Sequence, residues 1–217
     1  MTRLPARIAM LLAALSAAWQ PSIARAGEED TQLWVFLSAT GPLDDDTRLT
    51  IDTSQRWRSA ARGDEQQTIR ILVEQQVAER LALGGAVAVF EAGGLSEFRL
   101  DQQAVVTLGR FALRSRIEER FFDRADRMEV RLRQRVLYNQ PLARDWRATL
   151  HGEWFGIVQS RRRDVPDSAE WRAQLSLFHR LGNNFEVGAN YLFILVPNGD
   201  RPDRITHVPQ ATVTYRF

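Results

Sequence analysis

The chain has 217 residues with no cysteine and no lysine, so all 29 basic side chains are arginine, set against 27 acidic ones. The lack of cysteine excludes disulfides and thiolate metal sites. Without the first 26 residues, which hold Arg3, Arg7 and Arg25 but no acid, 26 basic side chains face 27 acidic ones, a balance that gives no support to a nucleic-acid partner.

The opening MTRLPARIAMLLAALSAAWQPSIARA places Arg3 and Arg7 before an apolar run from Ile8 to Ala18 and ends on Ala24-Arg25-Ala26. A charged start, a short apolar stretch and small residues two apart are the marks of a secretory signal peptide, expected to be removed after Ala26. The apolar run is too short for a transmembrane helix, which needs about 20 residues, and no later stretch is longer. Export without a helical anchor is therefore expected.

From Thr47 onward the dominant pattern has a period of two, the repeat of a β-strand whose side chains alternate between faces. In TRLTIDTSQRW, Arg48, Thr50, Asp52, Ser54 and Arg56 oppose Leu49, Ile51 and Trp57. TIRILVEQQV continues the pattern. In FRLDQQAVVTL, Arg99, Asp101 and Gln103 follow Glu97 on one face while Phe98, Leu100 and Ala104 take the other. FALRSRIEERFF sets Arg114, Arg116, Glu118 and Arg120 against Leu113 and Ile117. RMEVRLRQRV carries Arg127, Glu129, Arg131, Arg133 and Arg135 on one face and Met128, Val130, Leu132 and Val136 on the other. DWRATLHGEW aligns Arg147, Thr149, His151 and Glu153 opposite Trp146, Leu150 and Trp154, and EWRAQLSLF and NFEVGANYLFIL complete the series. Helical spacing fits these windows worse, because it would spread polar residues around the whole circumference.

The connectors fall into two alternating classes. Residues 79–85, 107–111, 138–145 and 180–185 are fairly short, with Gly, Asn or Pro at turn positions, while 58–66, 91–97, 122–127, 159–170 and 196–207 are mostly longer or more charged. Short turns at one end and longer polar loops at the other are expected of an outer-membrane barrel, although a soluble sandwich also has many strands. The carboxy terminus decides. Val213, Tyr215 and Phe217 share one face of QATVTYRF, and an amphipathic last strand ending in an aromatic residue resembles the signal by which bacterial barrel-assembly machinery recognises its substrates.

In hydrocarbon no backbone group can stay unpaired, so strands that cross it must close into a cylinder. The expected fold is all-β: a closed antiparallel transmembrane up-and-down β-barrel of about 10 to 12 strands, porin-like in build, in the outer membrane of a Gram-negative cell. Residues 1–26 are read as the signal peptide, 27–46 as an N-terminal segment that adds a strand or plugs the lumen, and 47–217 as the barrel. Ten spans fit between Thr47 and Phe217, and TQLWVFLSAT would make an eleventh, against the even counts of bacterial barrels. Trp57, Trp146, Trp154, Trp171 and Tyr215 are candidates for aromatic girdles. Glu119 breaks the alternation and is expected at a bulge or near a rim.

The order of these features resembles an uncharacterised family of bacterial outer-membrane barrels, domain of unknown function 2490. The resemblance rests on Trp34, Arg56, EFRLDQQ (97–103), RSRIEERF (114–121) followed by RMEVRLRQRV, a late His207 and the terminal VTYRF. It implies location and fold and carries no activity with it.

The expected site is the lumen. Glu97, Arg99, Asp101, Arg114, Arg116, Glu118, Arg120, Glu129, Arg131, Arg133 and Arg135 form a lumenal charge network, with Glu118, Glu129, Asp101 and Glu97 as partners for Arg131 and Arg133. Such a network suits a structural or accessory role or a narrow transport role without catalysis; the alternatives are a small anion-selective channel and an outer-membrane lipid hydrolase using His151 with Glu153, for which no serine partner is evident. Arg161 to Arg163 sit in a loop that could bridge lipopolysaccharide phosphates. The expected partners are outer-membrane lipids, lipopolysaccharide and the assembly machinery; no cofactor, metal or nucleic acid is expected.

Overall fold

A computed structural model describes residues 28–162, 169–199 and 201–217. The expected signal peptide lies outside the described residues, as does Arg163. The described chain is built from strands: β1 (Glu28–Thr31), β2 (Leu33–Pro42), β3 (Thr47–Trp57), β4 (Gln66–Ala78), β5 (Leu81–Ala92), β6 (Leu95–Leu108), β7 (Phe111–Phe122), β8 (Glu129–Ala143), β9 (Trp146–Gln159), β10 (Glu170–Leu181), β11 (Phe185–Val196) and β12 (Arg204–Arg216), with one 3-10 turn at Ala60–Arg62. From β2 to β12 each strand pairs antiparallel with the next, and β12 then pairs with β2, closing the sheet into a barrel.

The closure departs from the expected wholly antiparallel, even-stranded cylinder. β12 runs parallel to β2 from Gln210↔Trp34 to Arg216↔Thr40. β1 lies on the same edge of β12, from Glu28↔Arg204 to Thr31↔His207, with the same register offset. The break falls at Gln32, whose N–H still donates to the His207 carbonyl at 2.9 Å. β1 and β2 are thus one line of chain along β12, and the barrel has eleven walls. An odd number of up-and-down strands necessarily leaves the first and last parallel, and TQLWVFLSAT supplies the eleventh instead of a plug.

Two rims result. The connectors 43–46, 79–80, 109–110, 144–145 and 182–184 lie at the rim that holds Phe217, and 58–65, 93–94, 123–128, 160–162, 169, 197–199 and 201–203 lie at the other. One connector was misjudged: EAGGLSE forms a two-residue hairpin, Gly93 and Gly94 having φ of 57° and 71°, a pair of left-handed conformations that suits the twist of the flanking strands. Glu119 sits three residues from the end of β7, and its pairing with Val130 is unbroken, so the rim and not a bulge accounts for it. The neighbouring irregularity is in β9, where the register slips between Val130 and Arg131.

Alternation turns the barrel inside out relative to an ordinary globular domain. Charged side chains such as Glu118, Arg116 and Asp101 are buried, while Leu37, Ile69, Val87, Ile117, Leu150 and Leu175 project outward and are exposed. Outward aromatic residues gather near both rims. Phe111 and Tyr138 (5.0 Å between centroids), Phe185 and Tyr215 (5.2 Å) and Trp146 stacked on His179 (4.3 Å) mark the short-turn end. Phe98 with Phe121 and Trp154 with Trp171 mark the other. Ten residue steps separate Phe111 from Phe121 on β7; at ~3.3 Å per residue and a tilt of ~45°, the outward apolar band between the belts is about 23 Å tall. Ser115 and Gln134 interrupt that band but satisfy each other through a 2.7 Å hydrogen bond.

Candidate functional site: the lumen

Small inward residues on β5 make room for long ones beside them. Gly84, Ala86 and Ala88 face the interior opposite Gln103, Asp101 and Arg99 of β6. At Gly84 a Cβ would come within 2.9 Å of Glu74 Cγ and 3.0 Å of the Val73 carbonyl, so no larger residue fits unless those atoms move. Gln103, held by Glu74 at 2.7 Å, in turn accepts two N–H groups of Arg116 at 3.0 and 2.6 Å.

The charge network is centred on Glu118 of β7, which is fully buried. Arg131 Nη2 approaches one carboxylate oxygen at 2.5 Å and Arg133 Nη1 the other at 2.6 Å, with Arg99 at 3.6 Å and Arg116 at 3.7 Å. Glu153 of β9 is a second centre, taking Arg114 at 2.5 Å and Arg133 at 2.8 Å. Glu97 receives Arg99 at 2.6 Å and Arg120 at 2.7 Å, and Arg120 continues to Glu129. Asp101 meets Arg116 at 3.3 Å. Arg133 joins the two centres by bonding both Glu118 and Glu153.

The partners differ from those assigned by sequence. Of the four carboxylates expected to serve Arg131 and Arg133, only Glu118 does; Glu129, Asp101 and Glu97 serve Arg120, Arg116 and Arg99, while Glu153 completes the coordination of Arg133. The ladder was legible as a face, but which rungs meet depends on strand register and on diagonal reach. Arg135 makes no hydrogen bond or ion pair with the described residues, and its Nε is a buried donor without an acceptor, as is Nε of Arg114.

The hydrolase arrangement is not assembled. Glu153 is turned to Arg114 and Arg133, and His151, whose cross-strand neighbours are Leu137 and Gln174, has no side-chain hydrogen bond among the described residues. His207 lies on the outer face with its Nδ1 2.5 Å from the Tyr191 hydroxyl, and His179 approaches the Asp145 carbonyl at 3.3 Å. Among the described residues no group of three or more His, Asp or Glu side chains is placed to hold a metal ion.

Sequence reasoning missed the aromatic lining. Trp34 of β2 faces inward, with Arg56 stacked over its ring at 4.3 Å, and packs with Leu192, Ile194 and Val208 in an apolar cluster inside the barrel. Phe155 is 1% exposed and lies beneath Arg133 and Arg172 at 4.3 and 4.4 Å. Toward the short-turn rim, Phe178 covers Gly188, and Arg147 lies 3.8 Å above the Phe178 ring while holding Glu186 at 2.6 Å.

These groups surround a cavity of about 790 Å³ that extends from Arg58 and Gly63 at the long-loop rim to Phe178 and Thr214 near the other. Twelve arginines and five carboxylates line it among the described residues; Glu118 stands behind the lining, wrapped in its own ion pairs. Eight-stranded barrels are just filled by their side chains, whereas barrels of sixteen or more hold channels. Eleven strands fall between, and the cavity is what the charge network leaves open.

Of the sequence-derived assembly residues, Val213 and Tyr215 face outward on β12 and Phe217 lies at the closure. The Phe217 N–H donates to the Thr40 carbonyl at 3.2 Å, and its ring covers Gly41, where a Cβ would come within 2.5 Å of Cδ2.

Residues 31–205 match the model of a family described as protein of unknown function, DUF2490. No curated protein matches the chain at a significant level.

Proposed function

The chain belongs to the DUF2490 family, and we propose that it is an outer-membrane β-barrel whose arginine-rich lumen binds small anions and gives them a narrow passage. The observation that carries the reading is the inversion of the barrel: hydrocarbon outside, and inside a cavity with seven more arginines than carboxylates in its lining. Lipid on the outer face satisfies the apolar band, and the two aromatic belts suit the headgroup regions on either side. Inside, a cavity with an excess of fixed cations and low-dielectric walls raises the local concentration of anions and repels small cations. The wall from β6 to β9 is braced by Glu118, Glu97 and Glu153 and serves as scaffold. Arg135 lines the cavity without a hydrogen bond or ion pair among the described residues, so its charge is open to a passing anion.

The test has two stages. The protein without residues 1–26 should fractionate with outer membranes and migrate at different apparent masses before and after boiling; recovery as a soluble periplasmic monomer overturns the membrane assignment. In planar bilayers under a potassium chloride gradient the reversal potential should show anion preference, and Arg135→Leu should weaken that preference while the heat-modifiable band persists. A folded wild-type barrel with no conductance, or with cation preference, overturns the passage and leaves the scaffold role.

A further inference from the structure

We propose that the lumen contains, near the long-loop rim, a binding site for a small organic carboxylate with an apolar body, held by Arg56 and the aromatic wall around Trp34. The inference deepens the anion-binding reading and rests on it only for the side from which a ligand arrives.

Arg56 stands apart from the network. Its Nε donates to Ser54 Oγ at 3.3 Å and its Nη1 to Gln66 Oε1 at 3.1 Å, both neutral oxygens, and among the described residues no carboxylate pairs with it. A guanidinium has five N–H donors, so the Nη2 edge is left for another acceptor. Arg172 approaches the same Trp34 ring, at 5.9 Å, so the nearest charged neighbour over that ring is another cation. Arg172 is already paired with Glu170 and Arg99 with Glu97, whereas Arg56, like Arg135, has no carboxylate partner among the described residues.

The ring of Trp34, 4.3 Å from the Arg56 guanidinium carbon, holds the group by one face and leaves its edge for in-plane hydrogen bonds, the geometry a carboxylate prefers. Beside it Trp34, Phe36, Leu192 and Ile194 line the same cavity with apolar surface. Part of this cluster packs the seam between β2 and β12, and the face that it turns to the cavity lies beside a cation without a carboxylate partner. A ligand with a carboxylate head and an apolar body uses both. The cavity of about 790 Å³ falls within the ~300–1,000 Å³ typical of small-molecule sites.

The test is calorimetric titration of the refolded barrel in detergent micelles, with blank micelles subtracted. Four probes separate the chemistry: naphthalene-2-carboxylate, octanoate, naphthalene-2-methanol and acetate. Naphthalene-2-carboxylate should bind saturably and at least tenfold more tightly than either the neutral alcohol, which lacks the head, or acetate, which lacks the body. Octanoate binding equally well assigns the site to aliphatic as well as aromatic acids; binding only of the naphthalene acid restricts it to aromatic ones. Arg56→Gln should weaken the acid at least tenfold with little change for the alcohol, in line with the loss of one charge-assisted hydrogen bond. Equal affinity for the acid and the alcohol, or for the acid and acetate, overturns the proposal, and those comparisons need only the wild-type barrel should Arg56→Gln fail to fold. Anion conductance without naphthalenecarboxylate binding defeats this inference alone, whereas saturable binding without conductance preserves it and defeats the passage.

Discussion

Replacing Glu118 by alanine tests whether the charged lumen holds the barrel together. The carboxylate is fully buried and holds Arg131 at 2.5 Å and Arg133 at 2.6 Å, with Arg99 and Arg116 at 3.6 and 3.7 Å. A hydrogen bond to a charged group contributes about 1.5–3 kcal/mol, so the two short pairs alone account for about 3–6 kcal/mol. Four guanidinium groups would then face one another without their common anion. Arg131 and Arg133 both line the cavity, so part of that repulsion is relieved as they turn toward solvent. The measured cost of removing one partner from a buried ion pair, about 3–5 kcal/mol, is therefore the expected loss. Glu118→Gln keeps the shape and one acceptor oxygen and should lose less. Equilibrium urea unfolding in detergent micelles, followed by tryptophan fluorescence, measures the difference, and heat-modifiable migration verifies the starting fold. The double variant Arg131→Leu with Arg133→Leu should move in the same direction, because it leaves a buried carboxylate with only its two longer contacts. A Glu118→Ala barrel within about 1 kcal/mol of wild type would refute the reasoning, since the network would then be screened by water and contribute no more than surface pairs do.

Two further perturbations address the closure. Gly41→Val places atoms where the Phe217 ring now lies, so it should lower the heat-modifiable fraction in outer membranes, as should deletion of Phe217, with export unaffected in both; normal yield would show that the seat on Gly41 is dispensable for assembly. An epitope placed directly before Glu28 should be labelled on intact cells from the same side as one in the 58–65 loop, and from the opposite side to the 43–46 turn; any other pattern is incompatible with eleven strands and a parallel seam.

The period of two made most of the barrel legible. It identified which residues of each strand share a face, and every second residue from Glu97 to Gln103, from Arg114 to Arg120 and from Glu129 to Arg135 does face the interior. It could not show where inward and outward faces are both apolar. In NFEVGANYLFIL the second half alternates Tyr191, Phe193 and Leu195 with Leu192 and Ile194, so nothing in that pattern distinguishes a lumenal aliphatic patch from the outer surface. Nor does it fix partners: Arg133 reaches Glu153 on β9 and Glu118 on β7, a choice made by register and side-chain length. The eleventh strand was visible in TQLWVFLSAT as a hydrophobic segment, but an even count, true of most bacterial barrels, argued against placing it in the wall.

The odd count also explains how the interior is divided. In a ring running from β2 to β12, the strand opposite the seam is β7, and β7 carries Glu118, the centre of the charge network. The seam strands β2 and β12, with neighbouring β11, carry the interior apolar cluster of Trp34, Val208, Leu192 and Ile194. Parallel pairing is slightly less stable per residue than antiparallel, and here no hairpin holds the two strands together. Apolar packing behind the seam, together with Phe217 seated on Gly41 at its end, compensates for both deficits without requiring charges to meet across the parallel join. On the far side, hairpins fix the register, so arginines and carboxylates can be placed where their hydrogen bonds are satisfied. Arg56 and Arg172 lie within reach of both kinds of wall, each over an aromatic ring. A ligand entering the cavity there would meet hydrocarbon on one side and cationic donors on the other, which is why its expected chemistry is that of an organic anion and not of a bare ion.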